Sequence, residues 1–383
     1  MRVLVAPQEF KGTLTAGQAA AAIAAGVRTV LASAEVRELP MSDGGPGLVD
    51  ALLAARGGER RTATVHDPLM RPIEASWVLL ADGSAAIEMA AASGLVLVEP
   101  ERRNPLITTT FGTGELIGAA LDAGCREIVI GSGGSATIDG AAGAAQALGV
   151  RLLDEDGHDL AAGGAALARL ARIDMSPRHP RLADARLRVA CDVTNVLCGP
   201  HGAAMVYGEQ KGASADAMRR LDAALGRFAE VIRQQVGVAV ATLPGSGSAG
   251  GLGAGLAALA GATLEPGFEL VAEAVGLRDA IAASELVITG EGRLDAQTHY
   301  GKTVAGVAGL ARERAIPIAV VAGSVDAGFD TRADGFVAVE AVVPWDAEPE
   351  ERDAAMADAV DAVRRAAERL VRRLIDTGAI APR

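Results

Sequence analysis

The sequence predicts an α/β protein in which a doubly wound parallel-sheet domain is interrupted by a second α/β domain. Strand and helix patterns alternate near both ends of the chain, as βαβ units do. After about residue 59 the pattern changes to short strands joined by Asp-Pro and Asp-Gly turns. We therefore expect a discontinuous domain formed by residues 1–60 and 245–383, with residues 61–244 as the inserted domain.

The N-terminal elements follow from local signals. Arg2–Pro7 is an apolar strand, and Thr15 with Gln18 forms the capping box of a helix that runs to about Val30. Glu35–Leu39 is the next strand, and a second helix begins close to Gly47.

The inserted domain is predicted from period-two alternation and from two longer patterns. Ile128–Ile130 is a short buried strand, and Ala215–Val236 is a long amphipathic helix. The remaining predicted strands are Arg61–Val65, Glu74–Leu80, Ser84–Met89 and Arg186–Asp192.

Near the C-terminus the doubly wound pattern returns. Three strands, Glu285–Thr289, Ile318–Ala322 and Gly335–Val343, surround a helix at Thr303–Ala315. Apolar residues at steps of three and four predict one last amphipathic helix. They are Met356, Val360, Val363, Ala367, Leu370 and Leu374.

Composition limits the function classes. The chain has 383 residues, a net charge of −12 and a pI near 5.0, which argues against a nucleic-acid-binding surface. Three cysteines without a C-x-x-C pair indicate neither a disulfide framework nor a structural zinc site. The apolar run Ala249–Leu264 is interpreted as one buried helix, not a membrane span. Because the first strand starts at Arg2, we expect no signal peptide and a cytoplasmic protein.

The segment Ile128–Gly149 is the centre of the predicted site. A strand, a glycine-rich turn and a small-residue helix would direct backbone N–H groups towards an anion. The functional interpretation is a phosphate cradle with a metal-facing acid, and the alternative is a plain tight turn. The candidate residues are Ser132, Gly133, Gly134, Ser135 and Asp139.

Other polar clusters follow predicted strands, where doubly wound folds bind ligands. The structural alternatives are a solvated loop lysine for Lys11, a helix cap for Asp43 and an Asx turn for Asp192. The candidates are Lys11, Asp43, Gly44, Asp192, Lys211, Gly290, Glu291, Gly292, Arg293, Asp295 and Lys302. The chain offers backbone turns that could bind phosphate, several cations and carboxylates at strand ends, but no nucleophile triad. Phosphoryl transfer requires this set of groups.

At these residues the chain resembles the two-domain bacterial glycerate kinase family. The resemblance covers nearly the full length, in pieces such as VAPQEFKGTLTA at 5–16, SDGGPG at 42–47, IEMAAASGL at 87–95, GSGGSATIDG at 131–140, RVACDVTN at 188–195, GEQKGA at 208–213 and TGEGRLDAQTHYGK at 289–302. It implies ATP- and Mg²⁺-dependent phosphorylation of D-glycerate, usually to 2-phosphoglycerate. It also implies a Rossmann- or flavodoxin-like domain with an inserted α/β domain and a site in the cleft.

Roles are assigned as hypotheses. The predicted catalytic residues are Asp192, Lys11 and Asp295, with Asp192 as the expected base or hydroxyl-orienting acid. Asp43 and Asp295 are rival candidates for the base or for Mg²⁺, and Asp43 and Asp192 are the candidate Mg²⁺ ligands. Four cations are expected to neutralise phosphates and the glycerate carboxylate: Lys11, Lys211, Arg293 and Lys302. We expect residues 131–139 and 289–302 to face one another.

Alternatives stay open because the chain departs from the family pattern. Gln8 stands where the family usually has Asp, and Pro46 where it usually has Glu. These changes leave room for 3-phosphoglycerate as product, for another small 2-hydroxy acid, or for a non-catalytic binding protein. An oxidoreductase is disfavoured, since no G-x-G-x-x-G follows the first strand. The expected partners are D-glycerate and ATP, without nucleic acid or membrane, in a monomer or homodimer.

Overall fold

The computed structural model describes residues 1–295, 303–330 and 335–381. Its strands are β1 Arg2–Val5, β2 Glu35–Glu38, β3 Gly58–His66, β4 Pro72–Leu80, β5 Ala85–Glu88, β6 Glu127–Gly131, β7 Arg151–Leu153, β8 Arg172–Asp174, β9 Arg186–Ala190, β10 Thr263–Glu265, β11 Leu286–Leu294, β12 Ile318–Val325 and β13 Ala338–Ala341. Its helices are α1 Ala16–Val30, α2 Leu48–Arg56, α3 Ala90–Ser93, α4 Phe111–Asp122, α5 Ala142–Ala147, α6 Ala203–Tyr207, α7 Ala215–Gln235, α8 Ser248–Leu259, α9 Gly267–Ala274, α10 Leu277–Ala282, α11 Thr303–Glu313, α12 Pro349–Ala357 and α13 Ala359–Asp376.

Helix α1 begins where its capping box predicts. The Thr15 hydroxyl accepts a hydrogen bond from the N–H of Gln18 at 3.2 Å, and the Gln18 side chain accepts one from the N–H of Thr15 at 3.0 Å. Its apolar face packs against α13 in one buried cluster. A Cβ at Gly26 would lie 2.4 Å from the carbonyl oxygen of Arg364, so the glycine lets the two helix backbones approach closely.

The first compact unit comprises residues 1–43, 50–55 and 268–383. Its five-stranded sheet has the order β13-β12-β11-β1-β2, and every pairing is parallel. The chain leaves β1 on one side towards β2 and later returns to β11 on the other side. The topological switch point, where such sheets bind ligands, therefore lies between β1 and β11.

The second unit comprises residues 44–49 and 56–267. Strands β10, β9, β6 and β5 are parallel, and β4 and β3 extend the sheet antiparallel at one edge. Buried side chains of this sheet and of α4 and α8 form one apolar cluster. The predicted fold class, a discontinuous parallel-sheet domain with an inserted α/β domain, is confirmed.

Three details differ from the sequence predictions. The chain rejoins the first unit at Phe268, not near residue 245, because β10 pairs with β9 and keeps α8 in the second unit. The run Ala249–Leu264 is not one helix, since α8 ends at Leu259 before β10 begins. The last predicted helix is two, α12 and α13. In the described part of the chain, every helix is too short or too polar to cross a membrane.

Helix α8 begins with three left-handed residues that let it pack against the glycine-rich segment after β6. Ala249, Gly250 and Gly251 have φ of 51°, 75° and 92°. A Cβ at Gly250 would lie 1.9 Å from the carbonyl oxygen of Thr137, while the Gly250 carbonyl accepts a hydrogen bond from the N–H of Gly140 at 3.0 Å. The backbone contact requires glycine at position 250.

Replacing Gly250 by alanine is expected to lower the free energy of unfolding of the second unit by at least about 2 kcal/mol. The added methyl group meets backbone, which cannot move aside, and the left-handed conformation is strained for alanine. Denaturant unfolding measures the change. The control is Gly118→Ala, at a helical position with open space around the new Cβ, which is expected to stabilise α4 by roughly 0.5–1 kcal/mol. Equal stabilities of the two variants would contradict the packing.

Candidate active site

In the second unit, the parallel strands carry the glycine-rich turn and Asp192 on neighbouring carboxyl ends. Ser132 and Gly133 follow β6, and Asp192 follows β9, which is paired with β6. The Ser132 hydroxyl donates to the carbonyl of Ala190 at 2.7 Å and ties the two strand ends together. Asp192 is exposed, and its Oδ1 accepts a hydrogen bond from the N–H of Gly267 at 2.9 Å. A carboxylate is thus fixed beside a glycine-rich backbone turn.

Two N–H groups of this turn remain available to a ligand. Within the described residues, the backbone N–H groups of Gly133 and Gly134 donate to no protein acceptor. Gly134 has φ of +73°, is exposed and lies at the surface end of the turn. Adjacent unpaired N–H groups in such a turn attract an anion.

Gly44, from the predicted SDGGPG segment, packs against the same strand ends. A Cβ at Gly44 would lie 2.5 Å from the Cβ of Ala190, and a Cβ at Gly133 would lie 2.8 Å from the Cα of Gly45. Side chains at these positions would separate the two glycine-rich segments. The structure therefore brings Gly44, Gly133 and Asp192 together, as the sequence predicted for one site.

Asp139 lies beneath the turn and is fully buried, not directed outward. Its Oδ2 accepts hydrogen bonds from the N–H groups of Thr110 at 2.8 Å and Gly143 at 3.2 Å and from the Thr110 hydroxyl at 2.9 Å. Burial raises the pKa of the Asp139 carboxyl, and these hydrogen bonds oppose the rise. The carboxylate joins the N-termini of α4 and α5, so the expected metal-facing position of Asp139 is not found in this conformation.

The α5 N-terminus is accordingly already capped. The predicted anion cradle at the start of this helix is occupied by Asp139, and the available N–H groups lie earlier, at Gly133 and Gly134. The sequence could not distinguish these arrangements, because a strand–turn–helix pattern is compatible with both.

Lys211 is also buried, with only 2% of its surface exposed. Its ammonium donates to the Ser135 hydroxyl at 2.6 Å and to the carbonyl of Thr137 at 2.8 Å. Burial lowers the pKa of Lys211 to about 7, although the charge of nearby Asp139 opposes the change. Lys211 therefore holds the Gly134–Thr137 segment from below, and the direct contact of Lys211 and Ser135 with a phosphate stays a prediction.

In the first unit, three charged residues gather near the ends of β1 and β2. Burial raises the pKa of Glu9, the positive charge of Lys11 lowers it, and the nearby Asp43 carboxylate raises it further. The sequence predicts Asp43 as a ligand-facing acid but does not distinguish Glu9 from its neighbours. Two neighbouring carboxylates repel each other, and oxygen donors of this kind suit a hard divalent cation.

A cavity of about 240 Å³ opens beside the switch point of this sheet. We call it the Trp345 pocket. Its apolar walls include Phe10, Trp345 and Met356, its cations are Lys11, Arg293 and Arg352, and backbone of Gly292 and Gly323 completes it. Two of the predicted cations, Lys11 and Arg293, thus line one cavity together.

Arg293 is held over the Trp345 ring. Its guanidinium carbon lies 4.5 Å from the ring centroid, Nη2 lies 3.2 Å from Oδ2 of Asp326, and Nε lies 3.8 Å from Oδ2 of Asp295. The predicted acid Asp295 is therefore an ion-pair partner of the predicted cation. The arginine is oriented by two carboxylates and an aromatic face.

Close backbone packing requires glycine at position 290 and leaves little room for a side chain at position 292. A Cβ at Gly290 would lie 2.3 Å from the carbonyl of Val321, and one at Gly292 would lie 3.1 Å from the N–H nitrogen of Lys11. Glu291 is half-buried between them. Lys302 lies outside the described residues, so its role and the expected approach of residues 131–139 to 289–302 stay predictions.

Sequence reasoning missed several residues at these strand ends. Glu88 closes β5, and its Oε1 accepts a hydrogen bond from the N–H of Val49 at 3.1 Å. Glu88 belongs to the IEMAAASGL segment. The sequence signal that could have identified it is a carboxylate at the end of an apolar strand. Trp345 and Arg352 carried no local motif, and only the cavity that they line together reveals them.

The chain is similar to known proteins over nearly its whole length. The family model described as the glycerate kinase family matches residues 3–375. A Halalkalibacterium halodurans protein named glycerate kinase is 49% identical over 344 residues, which are 89% of this chain and 90% of that protein. An Escherichia coli K12 protein named glycerate 2-kinase is 48% identical over 326 residues, or 85% of this chain and 86% of that protein. The crystal structure of a candidate glycerate kinase 2 from Salmonella typhimurium LT2 superposes with a TM-score of 0.89 at 43% identity, covering 99% of this chain and 100% of that one.

Proposed function

Because the chain belongs to the glycerate kinase family, we propose that it transfers the terminal phosphoryl group of ATP to the 2-hydroxyl of D-glycerate. The observation that carries the proposal is the family match over residues 3–375. The matched range includes Asp192, which is fixed beside the glycine-rich turn. The 2-hydroxyl is favoured because one similar enzyme is named a glycerate 2-kinase. The products would be 2-phospho-D-glycerate and ADP.

Asp192 is proposed to orient the attacking hydroxyl and to accept its proton. The hydrogen bond from Gly267 fixes one carboxylate oxygen, so the side chain is positioned before substrate binds. A carboxylate near the nucleophile is the group that phosphoryl transfer requires from the protein. The N–H groups of Gly133 and Gly134 are proposed to bind an anionic group of the substrate.

Charge neutralisation is proposed for the cations of the first unit. Lys11 and Arg293 line the Trp345 pocket and would attract the phosphates of the nucleotide. Lys302 is proposed for the same role on the basis of its motif alone. Asp295 would then keep Arg293 oriented instead of acting as the base, since the two side chains form an ion pair.

The carboxylates of Asp43 and Glu9, which interact electrostatically, are proposed to hold Mg²⁺. Burial raises the pKa of Glu9 more than the nearby Asp43 carboxylate does, and a divalent cation would relieve the repulsion between the two carboxylates. When held by these carboxylates, Mg²⁺ would supply positive charge that offsets the negative charge of the phosphates. Asp192 remains a second proposed ligand.

Family membership favours a kinase over the oxidoreductase and the non-catalytic binding protein that the sequence alone left open. The expected cytoplasmic location and monomeric or dimeric state stay predictions.

An ADP-release assay with purified protein, ATP and Mg²⁺ tests the proposal across D-glycerate, L-glycerate and other small 2-hydroxy acids. We expect D-glycerate to stimulate ADP release most strongly and NMR to assign the new phosphate to carbon 2. A product phosphorylated on carbon 3 would overturn the regiochemistry. ADP release that no hydroxy acid raises above the acceptor-free rate would overturn the function.

A further inference from the structure

We infer that the Trp345 pocket binds the adenosine part of the nucleotide. This inference rests on the proposed function, because it gives a binding site to ATP, one of the two proposed substrates. The sequence motifs left open which segment holds ATP and which holds glycerate. Four observations on the first unit point to the nucleotide: the position of the cavity, its size, the chemistry of its walls and the exposure of two apolar side chains.

The position is the one that an open parallel sheet offers to a ligand. The pocket is lined by Phe10 and Lys11 from the loop after β1 and by Gly292 and Arg293 from the end of β11. These strands are neighbours, and the chain order reverses between them. Loops diverge at this point and leave a crevice above the strand ends.

The size and the walls suit a nucleoside better than glycerate. Glycerate is a three-carbon acid with oxygen on every carbon, so its site needs polar partners on all sides. The Trp345 pocket has a volume of about 240 Å³, and Phe10, Val342, Val343, Trp345 and Met356 present apolar surface to it. Apolar and aromatic walls with a few convergent polar groups are typical of sites for cofactors and other small organic molecules.

The charged side chains that line the pocket are positive, as a site for phosphate groups requires. Lys11, Arg293 and Arg352 line the pocket, whereas no carboxylate does so among the described residues. A phosphate chain would be attracted by these cations, and the base would remain against the apolar wall.

Two large apolar side chains of the pocket are exposed to solvent. Trp345 is 37% exposed and Met356 is 55% exposed. Met356 belongs to the apolar series predicted for the last helix, yet it does not enter the core formed by Val363 and Leu370, because α12 ends at Ala357. A bound purine would cover this surface.

The test measures ADP binding directly and needs no glycerate. The chain has two tryptophans, and Trp77 is buried in the second unit, so a Trp77→Phe background leaves Trp345 as the fluorescent reporter. We expect ADP to change the Trp345 emission and calorimetry to give the same Kd. Absence of ADP binding overturns the inference.

Two pairs of variants locate the site. Ala355→Phe fills the pocket and is expected to raise the Kd of ADP at least about tenfold, while Ala354→Phe on the exposed face of α12 leaves it within about twofold. Met356→Ala is expected to weaken ADP binding, whereas Val360→Ala, a 52% exposed residue away from the pocket, is not. Thermal melting of each variant shows that the fold is retained.

The outcomes separate this inference from the proposed function. If Ala355→Phe raises the KM of D-glycerate and leaves the Kd of ADP unchanged, the pocket is not the nucleotide site, although the kinase activity stands. If Ala355→Phe weakens ADP binding but no hydroxy acid accepts phosphate from ATP, the nucleotide site stands and the proposed reaction fails.

Discussion

Replacing Asp192 by asparagine is expected to lower kcat for D-glycerate phosphorylation by at least ~10²-fold. Asparagine keeps an oxygen that can accept the hydrogen bond from the N–H of Gly267, so the loop after β9 is expected to keep its conformation. What disappears is the negative charge that orients the hydroxyl and accepts its proton. If Asp192 acts as the base, the KM of ATP is expected to change little, whereas a role of Asp192 as a Mg²⁺ ligand would raise it.

The matched control is Asp156→Asn, which removes an exposed carboxylate from the turn after β7 in the same unit. We expect its kcat to equal that of the wild type. Steady-state kinetics and circular dichroism on both variants measure the effect. A folded Asp192→Asn enzyme with near-native turnover would rule out the role of Asp192.

The rival assignment for Asp43 gives a different kinetic signature. If Asp43 holds Mg²⁺ with Glu9, Asp43→Asn raises the Mg²⁺ concentration required for half-maximal rate, and added Mg²⁺ recovers part of kcat. If Asp43 were instead the base, no concentration of Mg²⁺ would restore the rate.

The second large effect is expected at Lys211. Lys211→Ala removes a buried ammonium, leaves the Ser135 hydroxyl and the Thr137 carbonyl without their donor, and opens a cavity beneath the glycine-rich turn. It also leaves Asp139 without its nearby positive charge. We expect the free energy of unfolding of the second unit to fall by about 3–5 kcal/mol. Urea unfolding followed by circular dichroism measures this loss.

The pH dependence of stability provides a separate test of the same group. The pKa of Lys211 is about 7 in the folded protein, below its ordinary value near 10.4 in an unfolded chain. Between these values the unfolded chain binds more protons, so this group makes the folded state more stable as pH rises from 7 towards 10. Lys211→Met keeps most of the volume and removes the titration.

We therefore expect the stability difference between wild type and Lys211→Met to change in favour of the wild type by roughly 2 kcal/mol between pH 7.5 and 9. Comparing the two proteins cancels contributions from the cysteines, which titrate in the same range. A difference independent of pH would mean that Lys211 has an ordinary pKa and is not desolvated as the structure indicates.

Local signals predicted the elements and their order well. The capping box of Thr15 and Gln18 fixes the start of α1, and the alternating apolar residues of β3 and β4 fall in an antiparallel pair. These features depend on neighbours in sequence, so the sequence reveals them. The discontinuous domain was predictable too, because its βαβ patterns occur at both ends of the chain. The return near residue 245 was wrong, because the pairing of β10 with β9 is a long-range contact.

By itself the sequence determined the fold class, the family and the strand-end position of Asp192. Only the tertiary structure determined which polar residues face solvent. The motifs around Asp139 and Lys211 predict ligand-binding groups, yet both side chains are buried beneath the turn. It also decided which distant segments share the Trp345 pocket. The physical reason is that periodicity and turn chemistry act over a few residues, whereas burial and cavities arise from packing between segments hundreds of residues apart, such as Phe10 and Trp345.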